Sequence, residues 1–122
     1  LSVVVVGCSG LGSPMIELLI RHGIRRLVLI DPDVIEERNL NRITFARVWD
    51  VGQLKVNVAA EWIASIGLGV DVVPIARNLC DPYAIKAAAE CDIAVGCMDG
   101  AEGRYTLNKL ATFYCLPYID VG

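Results

Sequence analysis

Four consecutive valines, Val3 to Val6, run straight into Gly7-Cys8-Ser9-Gly10-Leu11-Gly12, and a helical segment with Pro14 near its start follows. A short β-branched run of this kind suits a strand buried on both faces, and the glycines allow a tight turn from strand to helix. The alternation continues down the chain. Leu27 to Ile30, Val70 to Ala76, Ile93 to Cys97 and Tyr118 to Val121 read as further strands. Between them, one helix carries Met15, Leu18 and Leu19 on a common face and stops at Gly23; another, from Asp50 onward, repeats Val56, Ala59, Ala60, Ile63 and Ile66 up to Gly67 and Gly69. Asp81-Pro82 opens a third helix as cap and first-turn proline, and Glu102 to Tyr114 forms a fourth. Strands alternating with helices predict an α/β fold, Rossmann-like and doubly wound, with a mostly parallel sheet and helices on both faces. Asp31 to Arg47 shows neither period, and a connection of that length usually carries function.

Composition excludes several function classes. The 122 residues fit one domain, 55% of them are apolar and 20% charged, and no apolar run is long enough to span a bilayer. The opening residues Leu1-Ser2-Val3 carry no secretory signal pattern, so a cytoplasmic setting is the default. Eleven basic and 14 acidic residues give a net charge of -3 and are mostly intermixed, which excludes broad nucleic-acid binding. Cys8, Cys80, Cys91, Cys97 and Cys115 form no C-x-x-C pair, so buried or structural thiols are expected rather than a metal cluster or disulfide framework. The chain begins without methionine inside one apolar run and stops just after another. Residues 1–122 therefore read as a domain truncated at both ends relative to a longer parent.

The glycine loop sits where a phosphate-binding turn must sit, after a buried strand and before a helix whose N-terminal N–H groups and dipole favour an anion. Gly7 and Gly12 meet the outer positions of the G-x-G-x-x-G pattern, but Ser9 takes the middle one, with Gly10 beside it. Asp31 ends the second strand at close to the roughly 20-residue spacing at which an acidic side chain reaches a ribose hydroxyl. To this point a nicotinamide dehydrogenase and an ATP user fit equally. Asn39 and Arg42 in the polar stretch, followed by Lys55 at the start of a helix, favour a triphosphate, because fixed cations stabilise the charge that develops on a leaving pyrophosphate. His22 reads as a helix-end cap and Trp62 as packing rather than a base-stacking platform; Trp49 is set aside with them.

Gly7-x-Ser9-Gly10-Leu11-Gly12-Ser13, Asp31-x-Asp33-x-Ile35-x-x-x-Asn39-Leu40-Asn41-Arg42, Asp50-x-Gly52-x-x-Lys55, Asp99 with Arg104 and Asn108, and Tyr118-Ile119-Asp120-x-Gly122 appear in this order along nearly the whole chain. In these motifs it resembles the ThiF/MoeB/HesA family, relatives of the ubiquitin-activating enzymes. The resemblance implies that ATP and Mg2+ are used to adenylate the C-terminal glycine carboxylate of a ubiquitin-like or sulfur-carrier protein ending in Gly-Gly, with release of pyrophosphate. It further implies that Gly7, Ser9, Gly10, Leu11 and Gly12 cradle phosphates, that Asp31 binds the ribose, and that Asn39, Arg42 and Lys55 contact the phosphates. Asp99 would hold the metal near the reacting α-phosphate, and Arg42, Lys55 and Asp99 would carry the catalysis. Positioning and charge neutralisation matter more to such a reaction than a general base.

The family commonly dimerises, so a homodimer is implied. Ser9 stands where the family usually has glycine, and Gly100 where it usually has asparagine. The family's upstream arginine, its later catalytic cysteine and its structural-zinc cysteine pairs all fall outside the chain, so no catalytic cysteine and no zinc ligand is assigned here. Two other readings stand beside this one: an NAD-dependent oxidoreductase domain, and a catalytically silent partner-binding module of the same fold.

Overall fold

In the computed structural model, which describes residues 1–8, 10–98 and 100–121, five strands form one sheet in the order β3-β2-β1-β4-β5. They are β1 (Ser2–Val6), β2 (Arg26–Ile30), β3 (Asp71–Ile75), β4 (Ile93–Gly96) and β5 (Tyr118–Asp120), and every pairing is parallel. The helices are α1 (Gly12–Arg21), α2 (Lys55–Ile66), α3 (Pro82–Ala89) and α4 (Ala101–Phe113). The expected mostly parallel, doubly wound arrangement is therefore what forms.

Side chains of period two explain why the sheet is covered on both sides. Val3, Val5, Leu27 and Leu29 face one core with Ile16 and Ile20 of α1 and Val56, Ala59 and Ile63 of α2. Val4, Val6, Val28 and Ile30 face the other with Ala84 and Ala88 of α3 and Leu107, Leu110 and Ala111 of α4. A valine run with no polar partner thus belongs at the centre of the sheet.

The helices correct the sequence reading in detail. On α1 the fully covered face is Gly12, Ser13, Ile16 and Ile20, whereas Met15 and Leu19 are half-buried and Leu18 is exposed. The i, i+4 row that begins at Gly12 meets the sheet, and the three residues chosen from the sequence flank it. On α2, Val56, Ala59 and Ile63 are buried as expected, but the helix starts at Lys55; Val48–Asp50 is a separate 3-10 turn. Gly67 closes α2 in the left-handed conformation at φ +77°, and the Asp81 carboxylate caps α3 by accepting the Tyr83 N–H at 3.0 Å. His22 Nδ1 lies 2.8 Å from the Leu18 carbonyl oxygen, the helix-end contact read from its position. No helix among the described residues is long and apolar enough to cross a membrane.

The register places the ends of the central strands level: Val6 pairs with both Ile30 and Gly96. From β1 the chain winds one way through β2 and β3, then returns to build β4 and β5 on the other side. The reversal between β1 and β4 opens a crevice at the carboxyl ends of the strands, where such folds hold ligands.

The turn at that crevice is backbone against backbone. Gly7 has φ +99°, and a Cβ at Gly12 would collide with the Gly7 carbonyl oxygen, while a Cβ at Gly10 would meet nothing within 4 Å. Gly12→Ala should therefore lower stability by about 2 kcal/mol or more, and Gly10→Ala should change it by no more than about 0.5 kcal/mol. Urea unfolding midpoints of the two variants check this; equal midpoints would remove the claim that the turn depends on that contact.

Candidate nucleotide site

A cleft of about 460 Å³ lies over the carboxyl ends of β1, β2 and β4. Five residues expected from the sequence line it together: Gly7, Asp31, Asn39, Arg42 and Lys55. Gly10, Leu11 and Gly12 are not among its lining residues; Gly12 is buried under the turn and Leu11 is exposed beside it. Ser9 and Asp99, both expected site residues, and Gly122 lie outside the described residues.

Asp31 occupies the first position after β2. Its Oδ2 accepts the Cys8 N–H at 2.8 Å and its Oδ1 accepts the Asp33 N–H at 2.9 Å. One carboxylate thus fastens the glycine loop to the end of the neighbouring strand and shapes the turn before Asp33, so the turn-forming and ligand-facing readings of this residue meet in one side chain. Burial pushes its carboxyl above the usual carboxylate range, against the opposing pull of the two N–H groups and of Lys55.

Asn39 is also buried, in the 3-10 turn Glu37–Asn39. Its Oδ1 accepts the Glu36 N–H at 3.0 Å, and its carbonyl oxygen accepts the N–H groups of Arg42 at 2.9 Å and Ile43 at 3.0 Å. The polar stretch that lacked periodicity is therefore an ordered turn with Asn39 at its hub. Buried Ile35, Ile43 and Phe45 anchor it to the core, and Phe45 packs on Trp62 with ring centroids 6.0 Å apart.

Lys55 is the first residue of α2 and only 6% exposed. Its Nζ stands 3.8 Å from Asp33 Oδ2, and its N–H donates to the Asp33 carbonyl oxygen at 3.0 Å. Burying an ammonium carries an effective penalty of several kcal/mol, whereas an ion pair to a carboxylate as exposed as that of Asp33, at 66%, returns about 0.2–1 kcal/mol. Asp31 contributes a second, longer-range attraction. A buried ammonium with so exposed a partner suits an anionic ligand. Of the cleft's other cations, Arg38 is paired with Glu36 at 2.8 Å, while Arg42 forms no salt bridge among the described residues.

The sequence reading missed the far wall. Asn78, Leu79 and Cys80 follow β3, and Met98, Glu102, Gly103 and Thr106 follow β4 at the start of α4. Their signal was positional: they lie in the segments that leave the carboxyl ends of β3 and β4, through the first half of α4. Arg104 and Asn108, placed near the site by resemblance, do not line the cleft, and Arg104 Nε donates to Asp120 Oδ2 at 3.1 Å.

The cysteines divide. Cys8, Cys91 and Cys97 are buried as expected, but Cys80 and Cys115 are exposed. Burial raises the thiols of Cys8 and Cys91, and that of Cys97 to about 11. Thiols shifted this way are poor nucleophiles. Among the described residues no three His, Cys, Asp or Glu side chains converge on a metal position.

The ThiF family model matches residues 1–122. Among curated proteins, the adenylyltransferase and sulfurtransferase MOCS3 of Danio rerio is 36% identical over 122 residues, which are 100% of this chain and 27% of that protein. The SAMP-activating enzyme E1 of Haloferax volcanii is 34% identical over 117 residues, 96% of this chain and 43% of that protein. The crystal structure of E. coli MccB with ATP superposes with a TM-score of 0.89 at 32% identity, covering 99% of this chain and 37% of that one. The chain thus spans well under half the length of each of these relatives. A nucleotide-sized cleft, the matched motifs around it and a family match along its whole length together establish that this chain belongs to the ThiF family.

Proposed function

We propose that the chain is the adenylation domain of an ATP-dependent activating enzyme, and that its reaction joins the C-terminal glycine carboxylate of a ubiquitin-like or sulfur-carrier protein to AMP. The observation that carries the reading is the convergence of Gly7, Asp31, Asn39, Arg42 and Lys55 on one cleft at the strand ends. Relatives named adenylyltransferase and activating enzyme favour this chemistry over hydride transfer to a nicotinamide. Homodimer assembly, a cytoplasmic setting and a lack of membrane or broad nucleic-acid binding belong to the same proposal.

In this mechanism a carboxylate oxygen of the carrier attacks the α-phosphorus of ATP, the bond from that phosphorus to the bridging oxygen breaks, and pyrophosphate leaves. The nucleophile is already ionised, so no general base is required. The domain's work is to align the two substrates and to stabilise the charge gathered on the departing oxygens. Asp31 has an unused lone pair on each oxygen for the ribose hydroxyls. The Asn39 amide nitrogen is the donor left to a phosphate, since Oδ1 serves the Glu36 N–H. Lys55 and Arg42 supply the two cations. Gly7, whose Cβ would strike the Cys97 carbonyl oxygen at 2.7 Å, keeps the loop backbone close.

Mg2+ typically takes one or two carboxylates together with substrate phosphates, so a site without a protein-only cluster is compatible with it. We assign the protein ligand to Asp99 on the resemblance. Bound there, the ion would neutralise phosphate charge.

ATP–pyrophosphate exchange by the intact protein, with candidate carriers ending in Gly-Gly, tests the reading. Carrier-dependent exchange is expected, and its absence with every Gly-Gly carrier would favour a catalytically silent partner-binding module. Lys55→Met and Arg42→Ala should each lower the exchange rate by about 100-fold, the effect typical of losing one preorganised donor, whereas Arg21→Ala should leave it within about twofold. Exchange should also disappear on chelation of Mg2+ and in Asp99→Ala. Robust carrier-dependent exchange that survives Asp99→Ala would refute the role given to that residue.

A further inference from the structure

Ser13, the second residue of α1, is completely buried, yet its hydroxyl faces no partner in its own helix. Ser13 Oγ accepts the Thr44 N–H at 2.8 Å and shares a second hydrogen bond with Thr44 Oγ1 at 2.9 Å. This contact joins two segments distant in sequence: the helix that follows the glycine loop, and the loop that bears Arg42. On that loop Asn39 gathers the N–H groups of Arg42 and Ile43, and the next N–H, that of Thr44, crosses to Ser13. Ile43 and Phe45, 2% and 4% exposed, hold the flanking positions against the core. Apolar packing fixes the loop's depth but is not directional. The paired hydrogen bonds are directional, so they set where the loop lies along α1.

We propose that Ser13 is a positioning residue for ATP, acting through Thr44 to hold Arg42 at the height of the phosphates. The inference rests on the reading of Arg42 as a phosphate contact. An arginine on an exposed loop loses conformational freedom when it grips a ligand, and a backbone anchored two residues away lowers that loss. Thr44 donates from its backbone, so the contact depends more on the serine hydroxyl than on the threonine side chain. Removing the serine oxygen breaks both bonds, whereas removing the threonine hydroxyl breaks one.

The test is a double-mutant cycle read by ATP dissociation constants in the intact protein, with thermal unfolding confirming that each variant is folded. Ser13→Ala should weaken ATP binding about tenfold when Arg42 is present, and less than about twofold in the Arg42→Ala background. Thr44→Val should show a smaller loss, about threefold, which also vanishes without Arg42. If Ser13→Ala does not fold, the Thr44→Val cycle decides alone. Equal losses in both backgrounds would make the contact merely structural and overturn the proposal, as would no loss in either. If ATP binds but Arg42→Ala leaves its affinity unchanged, the phosphate role of Arg42 fails, and the latch with it. No ATP binding by the unsubstituted protein would overturn the reading of the cleft itself.

Discussion

The cleft depends on how closely the backbone at Gly12 approaches the carbonyl oxygen of Gly7. Side chains cannot be inserted into that contact, since a Cβ at Gly12 would collide with the oxygen. Because the two peptide segments touch, α1 starts directly above the end of β1 instead of after a looser excursion. The rest of its buried row follows from that starting point: Ser13, then Ile16 and Ile20, press on the sheet. The helix N-terminus is thereby left at the sheet's switch point, where its N–H groups and dipole favour phosphate. Moving the helix outward by the thickness of a methyl group would loosen the core and the site together.

Asp31 ties this turn to the second strand, and its energetics show why one residue can serve structure and ligand. Burying a carboxylate carries an effective penalty of several kcal/mol. Hydrogen bonds to a charged acceptor return about 1.5–3 kcal/mol each, and Asp31 accepts two, from Cys8 and Asp33. Burial outweighs them, as the upward shift of its carboxyl indicates. A side chain fastened by two bonds is oriented without being saturated. It keeps acceptor capacity for a ligand hydroxyl at a position fixed beforehand.

How much of this was legible in the sequence depended on whether a residue's role was local. Val3 to Val6 announced a central strand because no polar partner interrupts them, and Asp81-Pro82 announced a helix start through its own cap chemistry. Asp31, Asn39, Arg42 and Lys55 could be picked out by residue type and spacing, and the structure gathers them at one cleft. The buried face of α1 was misread because Met15, Leu18 and Leu19 are as apolar as Ile16 and Ile20, so apolar periodicity does not choose between the two rows; the small Gly12 and Ser13 at the head of the second row let it meet the sheet. The far wall was invisible for another reason. Asn78, Cys80 and Thr106 carry no motif of their own and reach the cleft only because β3 and β4 end beside it, which is a property of topology.

The polar connection from Asp31 to Lys55 brings these threads together, because its exposure is graded. Asn39 and Lys55 are nearly as buried as the core, and Asp50 is 8% exposed with its Oδ2 accepting the Arg47 N–H at 2.8 Å. Arg38 and Arg42 are exposed. The buried polar groups hold the connection's shape before any ligand arrives, Asn39 and Asp50 each accepting a backbone N–H. Arg42, without a carboxylate partner among the described residues, keeps its charge for whatever enters the cleft. A reaction that needs alignment and charge neutralisation calls for this division, since a cation already engaged by a strong internal partner would have to break that contact before it could stabilise a developing charge. Lys55 shows the intermediate case: its ammonium is buried, and its Asp33 partner stands 3.8 Å away and mostly exposed, so the pair is weak enough to yield to an entering phosphate.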